Sequence, residues 1–134
     1  SVLSAQPGIE VSHSYARAYS FDAGRDEMLR LLEAPRAEAY FGGDDVLSIG
    51  ALSAIRDSGL HCPGDVGILG LNDMEMARWN NINLTTIHHP IQQIVTSSIE
   101  LMVATLNDPD RLPEARIFPC DVVERGTLRP VRNV

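Results

Sequence analysis

The stretch Ala39–Asp73, AYFGGDDVLSIGALSAIRDSGLHCPGDVGILGLND, holds two apolar runs that each stop at a cluster of carboxylates and carboxamides. The first run, Ala39-Tyr40-Phe41, stops at Gly42-Gly43-Asp44-Asp45, and the second, Val66 to Leu71, stops at Asn72-Asp73. Between them Val46, Leu47, Ile49, Leu52 and Ile55 recur at helical spacing. Ser58-Gly59 supplies the helix stop, and Pro63-Gly64 turns the chain into the next strand. A strand–helix–strand unit of this kind predicts parallel strands, so both polar clusters fall at strand carboxyl ends on one edge of the sheet. Open α/β sheets bind ligands at that edge.

Upstream, Ser1 to Pro7 is a short stub and Gly8 to Val11 looks like the exit from a helix. Ser14 to Tyr19 is expected as a strand. Asp22 is the expected N-cap of a helix running to about Ala34, with Met28, Leu29, Leu31 and Leu32 as its buried stripe and Pro35 ending it. Downstream, Met74 to Trp79 makes one or two helical turns, Leu84 to Ile87 is a short strand, and His88-His89-Pro90 breaks it. The longest helix follows from Ile91 to Asn107. Its Ile91, Ile94, Val95, Ile99, Met102, Val103 and Leu106 form an apolar stripe that needs a partner surface. Arg116 to Pro119 and Asp121 to Arg125 read as extended pieces, and the end, with Arg129 and Arg132, reads as a frayed basic tail. Alternating strands and helices without repeats give an α/β fold with a mainly parallel sheet.

Composition narrows the function classes. A chain of 134 residues, 44% hydrophobic and 22% charged, is globular in character and long enough for a core. A formal charge of −7 with pI near 4.9 provides no basic face for phosphate contacts, so any DNA binding has to come from elsewhere. Cys62 and Cys120 lack CxxC or Cys/His spacing and are expected as buried small apolar residues rather than a disulfide. No run approaches the roughly eighteen apolar residues of a membrane span, and no charged-then-apolar leader opens the chain. The expectation is a soluble protein with no membrane partner. Ser1 is not an initiator Met, which leaves room for an upstream segment.

Enzyme chemistry finds little footing. Asp44-Asp45 could be a metal or acid/base pair, but adjacent acids after a strand more often serve as an N-cap and a first-turn residue. His88 and His89 diverge in an extended segment with no third ligand at metal spacing. No dinucleotide fingerprint, phosphate loop or nucleophile elbow is present, so neither a cofactor nor a metal is expected. A polyhydroxylated ligand suits the residues better. Tyr19, Asp44 and Asn72 each follow a predicted strand, giving an aromatic face for a sugar ring, a two-oxygen acceptor and a mixed donor and acceptor.

At these residues the sequence resembles the effector-binding core of the LacI/GalR family of bacterial transcription regulators. Gly43 to Leu52 stands where family members show Ala-Asn-Asp, two variable residues, Ala, any residue and Gly-Ala-Leu. Ser58-Gly59-Leu60, Pro63-Gly64-Asp65-Val66, Gly70 to Asp73, Met76 to Trp79, Leu84 to Ile87 and Val123 to Thr127 continue the likeness in order. The resemblance implies a Rossmann-like lobe of a periplasmic-binding-protein-like, two-lobed fold with its amino-terminal lobe largely missing. Residues 1–87 would be the carboxyl-terminal lobe, 88–118 a crossover helix and strand belonging to the other lobe, and 119–134 the return and tail.

It also implies function. The chain would be the effector-binding and dimerisation part of a cytoplasmic, sugar-responsive repressor, without enzyme activity, reaching operator DNA through a headpiece absent from these residues. The effector contacts carry over to Tyr19, Asp44 and Asn72, although acid and amide have almost exchanged places, so the identity of the sugar is not inherited. Homodimer contacts carry over to Ile49, Leu52, Trp79 and Asn80. The alternative on the same fold is a periplasmic sugar-binding protein of a transport system. Without the other lobe, the helix from Ile91 to Asn107 is expected to dock on another copy or a neighbouring surface.

Overall fold

The computed structural model describes residues 5–130. The first helix, α1 (Phe21–Leu32), opens on Ser20, whose side chain accepts from the Ala23 amide at 3.2 Å. Asp22, the expected cap, lies instead inside the first turn, because the helix begins one residue before it. Strand β1 (Ala39–Phe41) leads through Gly42-Gly43 to α2 (Asp45–Asp57), which is capped by Asp44 through a 2.6 Å bond from the Val46 amide. At its end Gly59 takes φ +76°, a left-handed turn that suits glycine, and the Leu60 amide returns to the Ile55 carbonyl at 3.1 Å. Strand β2 (Gly67–Leu71), a 3₁₀ turn (Glu75–Arg78), β3 (Thr86–His88), the long α3 (Ile91–Asn107) and β4 (Asp121–Val123) complete the order.

The sheet runs β1-β2-β3-β4, with β1, β2 and β3 parallel and β4 antiparallel to β3. Predominantly parallel strands with helical connections are what the alternating pattern predicts. Against this sheet α2 is buried on most of its circumference, from Asp45, Ser48 and Ile49 through Leu52 to Ile55. It has neighbours on two sides, the sheet and α1. The backbones of α1 and α2 nearly touch: a Cβ on Gly50 would sit 2.1 Å from the Phe21 carbonyl oxygen, and one on Gly24 2.3 Å from that of Leu47. Only glycine allows this approach. Met28, Ile49, Ala51, Ala54, Ile55, Val66, Ile68, Ala77 and Leu84 form the resulting core.

Three expectations need correction. Residues 14–19 form no strand, because β1 pairs only with β2 and Ser14 and Ala16 line a groove of about 130 Å³ beside β1 instead of bonding to it. An extended segment without a ladder neighbour does not become a strand. Cys120 is exposed and Cys62 only half-buried, so neither is a core cysteine, although both are free as expected. Arg129 is anchored, with Nε donating to the Pro63 carbonyl at 3.2 Å, while Arg132 and Ser1 to Ser4 of the stub lie outside the described residues.

The helix α3 behaves differently from the rest. Only Ser97 among its residues is buried, and Ile91, Val95, Ile99, Met102, Val103 and Leu106 all stand exposed, Leu106 by 75%. Arg116 ties the following extended segment to it, through bonds of 2.9 Å to Ser97 Oγ and 2.8 Å to Glu100 Oε2.

Candidate functional site

The three parallel strands end at Asp44-Asp45, Asn72-Asp73 and His88, and their side chains join into one network along that edge. Asp44 is both a cap and a bridge. While its Oδ1 holds the Val46 amide, its Oδ2 accepts from Asn72 Nδ2 at 2.9 Å, linking the turn after β1 to the turn after β2. Asn72 (φ 108°) and Asp73 (φ 53°) both occupy positive φ, a backbone cost that surrounding bonds must offset. They do so at several points. The Asn72 amide donates to the Ile87 carbonyl at 2.9 Å, and Asp73 accepts from Arg125 through Oδ1 at 2.6 Å.

Asp45 lies beneath this surface pair, fully buried. Its Oδ1 accepts from Thr86 Oγ1 at 2.6 Å, and its Oδ2 from the Met74 amide at 2.7 Å. Room for it comes from Gly70, where a Cβ would lie 2.3 Å from Asp45 Oδ1. Arg125 is the corresponding clamp from the far end of β4. One guanidinium nitrogen holds the Leu84 carbonyl at 2.8 Å, another holds Asp73, and His88 Nδ1 approaches the second Asp73 oxygen at 3.3 Å. Thr127 closes the frame, its hydroxyl donating to the Ile68 carbonyl at 2.7 Å and accepting from the Thr85 amide at 2.8 Å.

The sequence-predicted residues separate accordingly. Asp44 and Asn72 come together, half-buried and bonded to one another. Tyr19 is 80% exposed in the bend before Ser20, and no hydrogen bond among the described residues joins it to that pair. Ile49 and Leu52 are corrected: at 8% and 0% exposure they belong to the packing of α2 and offer a partner subunit no surface. Trp79, 53% exposed, and Asn80 do lie on the outside. The buried role of Asp45 and the clamp by Arg125 were not anticipated. Adjacency to Asp44 hides the first, and 52 residues of separation hide the second. The only signal for Arg125 was its place in Glu124-Arg125-Gly126-Thr127, a motif with no local reason to be there.

The edge offers a set of hydrogen-bonding groups already tied into the chain. All three carboxylates already accept donors from the chain, and among the described residues no three His, Cys, Asp or Glu side chains converge as metal ligands. No helix among the described residues is long and apolar enough to cross a membrane.

Comparison with known proteins agrees with the architecture. A periplasmic binding protein-like domain matches residues 4–128. The HTH-type transcriptional repressor PurR of Aliivibrio fischeri (strain MJ11) is 30% identical over 105 residues, covering 77% of this chain and 31% of the relative. The ribose operon repressor of Escherichia coli (strain K12) is 29% identical over 110 residues, covering 81% and 33%. In three dimensions a LacI-family transcriptional regulatory protein from Corynebacterium glutamicum superimposes with TM-score 0.69 at 33% identity, over 84% of this chain and 44% of that one. The chain thus spans about a third of the length of the curated relatives it matches. With the matched domain running through the parallel sheet, its strand-end turns and the Arg125-to-Thr127 closure, the chain belongs to the periplasmic binding protein-like domain family and, within it, is similar to LacI-type repressors.

Proposed function

We propose that this chain is the effector-binding part of a LacI-type transcription repressor, with a sugar or sugar derivative held at the strand-end edge. The observation that carries the reading is the 2.9 Å bond between Asn72 Nδ2 and Asp44 Oδ2. It fixes a carboxylate and a carboxamide side by side at the place where open α/β sheets take ligands, with acceptor lone pairs to spare for hydroxyl groups. Tyr19 supplies the stacking face. Names of the relatives, repressors in both cases, favour regulation over the transport receptor, and the ribose operon repressor points to a pentose as the first ligand to try.

Residues 1–87 and 119–134 then form one lobe, and residues 88–118 belong structurally to a second. The exposed apolar face of α3 supports that division, since it has the composition of a surface normally covered. Effector bound between lobes favours one lobe orientation, and can shift the equilibrium only by its differential affinity for the two states. Trp79 and Asn80 are the remaining dimer contacts, and operator DNA is met by residues outside this acidic chain. The protein works in the cytoplasm and performs no catalysis.

The test uses the full-length gene product and DNA from upstream of its own gene in a mobility-shift assay, with a panel of pentoses, hexoses and nucleosides. One sugar should change operator affinity, and Asp44→Ala should abolish that change while leaving the dimer intact by sedimentation. An undiminished response in the variant removes Asp44 from the site.

A further inference from the structure

The antiparallel ladder between β3 and β4 pairs Ile87 with Val122 and His88 with Asp121. His89 and Cys120 lie immediately beyond the last paired residues of the two strands. Their side chains come together there, with Cys120 Sγ 3.4 Å from His89 Nδ1. Two segments brought together from 31 residues apart thus place a thiol against an imidazole. The thiol is also exposed, with one longer contact of 4.0 Å to the Phe118 carbonyl.

Cys62 provides the contrast within the same chain. It is half-buried, its Sγ donates to the Thr127 carbonyl at 3.4 Å, and burial pushes its thiol above the ordinary range. Thiolate, not thiol, is the nucleophile, and a neighbouring base is what turns an exposed cysteine into a reactive one. Cys120 has both the base and the access; Cys62 has no hydrogen-bonded base and less access.

We propose that Cys120, activated by His89, is a site of oxidation by hydroperoxides. His89 takes the thiol proton, the thiolate attacks one peroxide oxygen, the S–O bond forms as the O–O bond breaks, and the departing oxygen takes the proton from the imidazolium. The sulfur loses two electrons to the peroxide, which leaves as water when the oxidant is hydrogen peroxide, and the product is the sulfenic acid. This point, at the end of the ladder, is where the chain leaves the sheet for α3 and where it re-enters at β4. Oxidation therefore adds a polar group one residue from His88 and its 3.3 Å approach to Asp73, close to the edge that carries Asn72.

The purified chain, treated with hydrogen peroxide in the presence of dimedone, is read by mass spectrometry of the peptides carrying each cysteine. Cys120 should acquire the adduct at least about tenfold faster than Cys62, and His89→Ala should slow Cys120 by at least about tenfold. His89→Gln, which keeps a polar side chain at this point, should slow it equally. In concentrated urea, where the ladder is gone, both cysteines should label at one rate. A Cys120 rate that survives both His89 substitutions would reduce the site to simple exposure and overturn the proposal, as would equal labelling of the two cysteines in the folded chain.

Discussion

The strand-end edge and α3 treat their side chains in opposite ways. Along the edge the carboxylates and the Asn72 amide group are answered from within the chain: Asp45 by Thr86 and Met74, Asn72 Nδ2 by Asp44, Asp73 by Arg125. Among the described residues no buried side-chain nitrogen or oxygen lacks a partner. On α3, by contrast, six large apolar side chains face water and a single serine is buried. Burying those six would be worth roughly 10 kcal/mol at 1.5–3 kcal/mol each. The proposed ligand edge is held in place by its own bonds, whereas a helix face can be completed by a surface that packs later. The first region is preorganised by its own sequence, and the second is amphipathic in preparation for something else.

The contrast is broken most severely at Asp45. Asp45→Ala orphans the Thr86 hydroxyl and the Met74 amide in a fully buried place, and should cost about 4 kcal/mol in urea-induced unfolding. Gly50→Ala comes next. Its Cβ would meet backbone rather than a yielding side chain, so a loss of about 2–3 kcal/mol is expected by the same measurement.

On α3 the expectation reverses. Met102→Ser and Leu106→Ser should change the unfolding free energy of this chain by less than about 0.5 kcal/mol, since both side chains are already in water. The same changes in a longer polypeptide carrying the second lobe should cost about 1.5–3 kcal/mol each. Equal costs in the two settings would remove the division between lobes.

The smallest effect is one of pH. The Arg116 guanidinium bonded to Glu114 holds that carboxyl below the ordinary carboxylate range. A depressed folded pKa contributes stability that is present above the ordinary value and lost as pH falls through the lowered one. Acidification from about pH 5 should therefore loosen the segment that carries Arg116 before it touches β2, with NMR line shapes of Ile117 changing while those of Ile68 hold.

What was legible in the sequence follows the range of the forces involved. Local signals delimited α2 through Asp44 and Gly59, and the apolar spacing of α3 matched its span from Ile91 to Asn107. Family resemblance alone points to Ile49 and Leu52 as interface residues, and their burial at 8% and 0% exposure comes from packing against α1 and the sheet, which the resemblance does not encode. Strand character at 14–19 depends on a ladder neighbour, which no residue within that segment encodes. The edge itself was half legible. Asp44 and Asn72 announced themselves by following strands, but Asp45 looks like any first-turn acid, and Arg125 meets Asp73 only once β4 has folded back along β3.

Hydrogen–deuterium exchange across the whole chain tests the central contrast directly, because it reads both regions in one sample. Amides of α2 and β2, together with those of Asn72 and Met74, should exchange only with global unfolding, while α3 amides exchange orders of magnitude faster. Protection of α3 equal to that of β2 at low protein concentration would contradict the account, since the helix would then be stabilised without the covering surface that its sequence calls for.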